Sequence, residues 1–116
     1  MSDTKHEFVG RRPRYPVAEG HAAESWLERA QGRLAAELTN FSRHGVGLLT
    51  NLPADQGEHV VIRIRHALSG VDLSIAGTVQ WRHTDDSGHW LVGCEFAQPM
   101  PFETLGELFL HGILSP

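Results

Sequence analysis

The chain has 116 residues and a mass of 12.9 kDa, with 41% hydrophobic and 21% charged residues, which suits one domain around one core. Its formal net charge of −4 argues against general binding to a nucleic acid polymer, and no apolar run approaches the roughly 20 residues of a membrane-spanning helix. Residues 1–7 lack the apolar centre of a signal peptide, and the single Cys94 excludes an internal disulfide, so a reducing cytoplasm is the expected location.

The charge is unevenly placed. Residues 1–17 hold Lys5, Arg11, Arg12 and Arg14 against Asp3 and Glu7, a local charge of +2, while the remainder holds six bases and twelve acids, or −6. A small basic arm on an acidic body suits a small anion better than a long polyanion. The same stretch is polar, lacks periodicity, and carries Pro13 and Pro16, which push Arg12 and Tyr15 toward extended backbone. A flexible basic arm over residues 1–17 and a single domain over 18–116 are therefore expected.

Beyond the arm, Ala22-Ala23-Glu24-Ser25-Trp26-Leu27-Glu28-Arg29-Ala30 has the composition of a helix. Five later segments read as strands. Residues 33–39 alternate, with Leu34, Ala36 and Leu38 on one face. Gly45–Thr50 is short and apolar and runs into turn chemistry at 51–57. In 58–66, Val60, Ile62 and Ile64 point inward, with Arg63 and Arg65 outward. The longest alternation, 71–83, puts Val71, Leu73, Ile75, Val79 and Trp81 on one face. A strong turn at 84–88 returns it as a hairpin through 89–96. The period then changes to helical over about 101–113. Pro101 marks the start, and Phe102, Leu105 and Phe109 form the apolar stripe opposite Glu103 and Glu107. Short antiparallel strands with one terminal helix predict an all-β fold, a small closed barrel that the helix plugs or caps.

One short stretch carries chemistry: Asn40-Phe41-Ser42-Arg43-His44-Gly45. On extended backbone, Asn40 and Ser42 project to the same side. An amide and a hydroxyl both donate and accept, as reading the polar edge of a flat base requires. Gly45 permits a positive φ and a close approach of ligand to backbone. By itself the pattern serves equally as an ordinary turn. Arginine adds what the turn lacks. A guanidinium forks onto phosphate oxygens or the O6/N7 edge of guanine, and stacks on purine faces. Prolines around Arg12 and Arg14 also reduce the entropy lost on ordering the arm.

Taken in order, the arginine arm, the Asn-x-Ser-x-x-Gly stretch, Gly77-Thr78-Val79-Gln80-Trp81, Gly93-Cys94-Glu95-Phe96 and the amphipathic C-terminal segment resemble the PilZ domain over residues 10–112. That family binds the bacterial second messenger cyclic di-GMP. The resemblance implies a six-stranded antiparallel split barrel with a C-terminal α-helix, and it asks for a strand within 18–30. The ligand it implies is cyclic di-GMP, with no cofactor. It matches Asn40, Ser42 and Gly45 to the family's (D/N)xSxxG and Arg14 to the second arginine of RxxxR. Gly10 stands where the first arginine is expected, so Arg11 gives RxxR and, with Arg12, is the available substitute. Arg43 and His44 are candidate modifiers. The implied activity is that of a receptor whose arm rearranges on binding and which, having no second domain in this chain, signals through another protein. Motility, exopolysaccharide, adhesion or virulence is the kind of process implied. Gly10 favours an alternative, a degenerate protein-interaction adaptor that does not bind the nucleotide.

Other chemistry is poorly supported. The eight His residues form no H-x-H or H-E-x-x-H pattern, so no metal site is expected. Cys94 lacks an activating signature, Ser42 and His44 adjacent in sequence do not make a triad, and Asp85-Asp86 suits a turn, so no enzyme is expected. Trp26, Trp81 and Trp90 are read as core, and a barrel for single-stranded RNA is disfavoured by charge.

Overall fold

In a computed structural model, which describes residues 13–116, seven strands and one helix form in the order β1 (Tyr15–Pro16), β2 (Glu24–Arg29), β3 (Gly32–Phe41), β4 (Gly45–Thr50), β5 (His59–His66), β6 (Val71–Thr84), β7 (Trp90–Phe96) and α1 (Phe102–Leu110). Every strand pair is antiparallel. The order β3-β2-β5-β6-β7-β4 closes on itself because β4 also pairs β3, giving a six-stranded barrel. β1 adds to the far end of β3, with Tyr15 opposite Phe41 and Pro16 opposite Asn40.

The helix-like composition before residue 30 is overridden by tertiary pairing. Leu27 faces inward, fully buried, between Leu34 and Ile62, and the Ser25 hydroxyl donates to the Ala36 carbonyl at 2.6 Å. The β3 and β5 alternations put Leu34, Leu38, Val60, Ile62 and Ile64 into a single interior cluster with Phe41, Leu48, Val79 and Val92.

Two β-bulges change which side chains face in. The first lies between Leu38 and Asn40, where one extra residue on β3 turns Phe41 into the core and Asn40 away from it. The second lies between Val79 and Trp81 on β6. Unbroken alternation would have put Trp81 beside Val79 in the interior; the bulge turns it out, 42% exposed. Trp26 is also outside the interior cluster, and among the tryptophans only Trp90 packs against it.

In α1 the inward residues are Leu105 and Leu108, with Phe109 half-buried. Phe102, expected on the apolar stripe, is 69% exposed; it sits at the first helical position, under the guanidinium of Arg43 at 3.8 Å. Past the helix, Ile113 and Leu114 return to the core. The Ala18 amide donates to the Ile113 carbonyl and the Ser115 amide to the Pro16 carbonyl, both at 2.9 Å, with Val17 bridging Leu114. Residues 15–17, counted with the arm from sequence, are thus held between β3 and the C-terminal segment.

Candidate functional site

The turn from β3 into β4 is built by the Asn-x-Ser-x-x-Gly residues themselves. The Ser42 amide donates to the Gly45 carbonyl at 2.9 Å, and the buried Ser42 hydroxyl accepts the His44 amide at 3.1 Å. Gly45 does not have the positive φ expected of it; the positive-φ glycines of the described residues lie elsewhere. Its reason is space: a Cβ there would stand 2.5 Å from the Cys94 carbonyl oxygen on β7. This turn therefore requires glycine for a close approach between strands.

Pairing of Pro16 with Asn40 brings the last arm residues over the strand end. Arg14 donates from Nε at 3.1 Å and from Nη2 at 2.7 Å to Oδ1 of Asn40. Two of its five donors are engaged, and the side chain lines a surface cleft of about 240 Å³ together with Ser42, His44, Gly45, Trp81 and Glu95. One wall of that cleft was missed by counting periods. Trp81 lies directly over the bare Cα of Gly93 on β7, stacked parallel to His83 with ring centres 4.8 Å apart. Gln80 Nε2 reaches Glu95 Oε1 at 3.4 Å along the rim. The signal that could have found Trp81 is its pairing with a glycine across the hairpin, where no side chain competes for the space.

Cys94 backs the cleft from the barrel side. Burial pushes its thiol pKa up to about 12, so it is neutral there. Arg43 turns the other way. Its Nε donates to the Met100 carbonyl at 2.9 Å while its own carbonyl accepts the Met100 amide at 2.7 Å, fastening the motif turn to the start of α1. His44 lines the cleft, and its carbonyl accepts the Phe96 amide at 2.8 Å. The structure thus gathers Arg14, Asn40, Ser42, His44 and Gly45 and sends Arg43 to the helix. Gly10, Arg11 and Arg12 lie outside the described residues. Among those residues, no group of three His, Cys, Asp or Glu side chains is placed to hold a metal ion, and no helix is long and apolar enough to cross a membrane.

A closed antiparallel barrel with one C-terminal helix and a polar cleft at the β3–β4 turn places the chain among small all-β barrel domains. The family model for the PilZ domain matches residues 19–111, and the chain belongs to that family. Similar solved structures include the Bacillus subtilis inhibitor of motility MotI/DgrA, at 12% identity and a TM-score of 0.63, covering 87% of this chain and 48% of that one. The K. pneumonia MrkH–c-di-GMP complex is 17% identical with a TM-score of 0.65, covering 86% and 49%. MrkH in its apo state is 14% identical with a TM-score of 0.61, covering 84% and 49%. The chain spans about half the length of these proteins. No curated protein sequence matches it.

Proposed function

We propose that the chain is a cyclic di-GMP receptor and that the cleft beside Arg14 is where the dinucleotide sits. One observation carries the reading: Arg14 is already fastened to Asn40, at the mouth of a cleft that also holds Ser42, Gly45 and the exposed indole of Trp81. In this reading the guanidinium of Arg14 takes a phosphate or a guanine edge, with Arg11 and Arg12 adding further contacts from upstream. Asn40 and Ser42 read the base edge. Trp81 gives a flat surface for a guanine ring, worth roughly 1–3 kcal/mol by analogy with stacked bases. Binding draws the arm upstream of Arg14 onto the barrel, and the rearranged surface engages a downstream protein in the cytoplasm. The role is recognition, without a catalytic step or a cofactor. Membership of the PilZ family, and the c-di-GMP named in the MrkH complex, support the choice of ligand.

Calorimetric titration with cyclic di-GMP, with GTP as control, tests this. Micromolar affinity corresponds to about 8 kcal/mol. Selective heat at that level, lost in Arg14→Ala, is the expected result. Absence of heat at tens of micromolar protein at two temperatures would overturn it and favour the adaptor reading, for which Gly10 at the first-arginine position speaks.

A further inference from the structure

Among the described residues that line the cleft, Glu95 brings the one carboxylate. It is exposed between the buried Cys94 and Phe96, so it points outward, the same way as the bare Gly93 two residues before it. In the β6–β7 register Trp81 pairs with Gly93, His83 with Leu91 and Thr78 with Glu95. His83 and Glu95 therefore stand on opposite sides of the Trp81–Gly93 pair. The imidazole of His83 is stacked on the indole at 4.8 Å, so it covers one face of Trp81 and leaves the other turned along β7 toward Glu95. The neighbour of Glu95 on β4 is Gly45, which has no side chain to cover it. Glu95 belongs to none of the ion pairs of the described residues. Gln80 Nε2 meets its Oε1 at a long 3.4 Å and leaves most of the carboxylate's acceptor capacity open.

Resting on the receptor reading of this cleft, we propose that Glu95 is the residue that selects guanine there. Its two oxygens accept the N1–H and a 2-amino N–H of a base stacked on the open face of Trp81. Guanine carries those donors side by side, and they match the two oxygens of a carboxylate. Adenine has a lone pair at N1 and no 2-amino group, so the same carboxylate faces an acceptor and repels it. Charge argues in the same direction. A cyclic dinucleotide carries two phosphates, and a carboxylate beside them weakens binding unless it meets donors of its own. The base edge supplies those donors. Glu95 therefore acts on the choice of base more than on the strength of binding. Arg14 supplies the positive charge, Trp81 the flat surface and Glu95 the discrimination between purines.

The test is a calorimetric titration of the full chain and of Glu95→Gln with three ligands: cyclic di-GMP, cyclic di-AMP, and cyclic di-IMP, which keeps N1–H and lacks the 2-amino group. The unaltered protein should bind cyclic di-GMP roughly tenfold more tightly than cyclic di-IMP and about a hundredfold more tightly than cyclic di-AMP. In Glu95→Gln, whose amide has one acceptor in place of two, the first ratio should fall to about one and the second should shrink about tenfold. Ratios taken within one protein cancel any effect of the substitution on folding. Equal ratios in the two proteins, with cyclic di-GMP still bound, would overturn the role of Glu95 and leave the receptor reading standing. So would an unaltered protein that binds cyclic di-IMP as tightly as cyclic di-GMP. A Glu95→Gln protein that binds none of the three would overturn the role too, because loss of a selector leaves the contacts of Arg14 in place. No binding of any of the three by the unaltered protein would sink the receptor reading, and this role with it.

Discussion

The indole of Trp81 occupies the space that a side chain at position 93 would need, so the outward turn of one residue and the bareness of the other are a single arrangement. A methyl added by Gly93→Ala collides with the ring and must displace it. In the proposed receptor this lowers cyclic di-GMP affinity roughly tenfold or more, the loss of about one stacked base. Trp81→Ala should match it, and Trp81→Phe should restore most of the binding. Fluorescence of the displaced indole and a ligand titration check this together. An unchanged affinity in Gly93→Ala would remove Trp81 from the site.

Arg14 and Arg43 are expected to separate binding from folding. Arg14 is exposed and, among the described residues, is held by Asn40, so Arg14→Ala should leave the melting temperature unchanged while lowering affinity by one to two decades. Lysine should not rescue it, because a point charge lacks the planar fork. Arg43→Ala should do the reverse, destabilising the fold by about 1–2 kcal/mol through loss of the Met100 hydrogen bond and the Phe102 stack. Thermal melts beside titrations decide it. Equal losses of affinity in both would show that Arg43 also touches ligand.

Ser42 should affect both properties. Its hydroxyl is buried and accepts the His44 amide, so Ser42→Ala leaves that donor unmet and costs about 1 kcal/mol of stability. The titration of this variant should also weaken. A melt identical to the unaltered protein would mean that the turn holds without its hydroxyl.

Glu58 gives the fold an acid limit. Arg29 meets it through two hydrogen bonds, at 2.7 and 3.1 Å, with both side chains largely buried. Hydrogen bonding to Arg29, above all, holds the Glu58 carboxyl below its ordinary value of 4.5. A carboxyl with a folded pKa below its unfolded one binds protons more readily when unfolded. Its stabilisation is therefore complete above about pH 4.5 and is lost as the pH falls toward the folded value. Glu58→Gln, which strands the guanidinium, should cost about 3 kcal/mol near neutral pH. Melting curves of the two proteins should converge in acid. A gap that does not narrow at all as the pH falls below 4.5 would contradict the assignment.

Cys94 should be slow to react. With its thiol raised to about 12 and buried, a disulfide reagent at about pH 8 should label the native protein far more slowly than the unfolded chain. Rapid labelling of the native protein would mean that the β4–β7 wall opens.

Much of this architecture was legible before the structure, because period-two alternation survives wherever a strand is regular. β5 shows it plainly in Val60, Ile62 and Ile64. What alternation could not show are the two bulges. One extra residue inverts every assignment after it, so Phe41 was not placed in the core and Trp81 was wrongly placed there. β2 was hidden for a different reason: its composition favours a helix, and only pairing with β3 and β5 makes it a strand. The Arg14–Asn40 contact could be anticipated because Tyr15-Pro16-Val17 leads from one into the barrel beside the other. That Arg43 belongs to the helix start could not, since Met100 and Phe102 lie more than fifty residues away in sequence.

The strap formed by residues 16–18 and 113–115 has a mechanical consequence. The two segments run antiparallel, and the ends that lead to residues 13 and 116 lie on the same side of the contact. Within the strap, a load applied through those ends would fall on the bond from Ser115 to Pro16 before that from Ala18 to Ile113. Hydrogen bonds taken in sequence part at far lower force than bonds sheared together. Under tension the strap should peel away while the closed barrel, whose strands hold one another around a full circuit, remains whole.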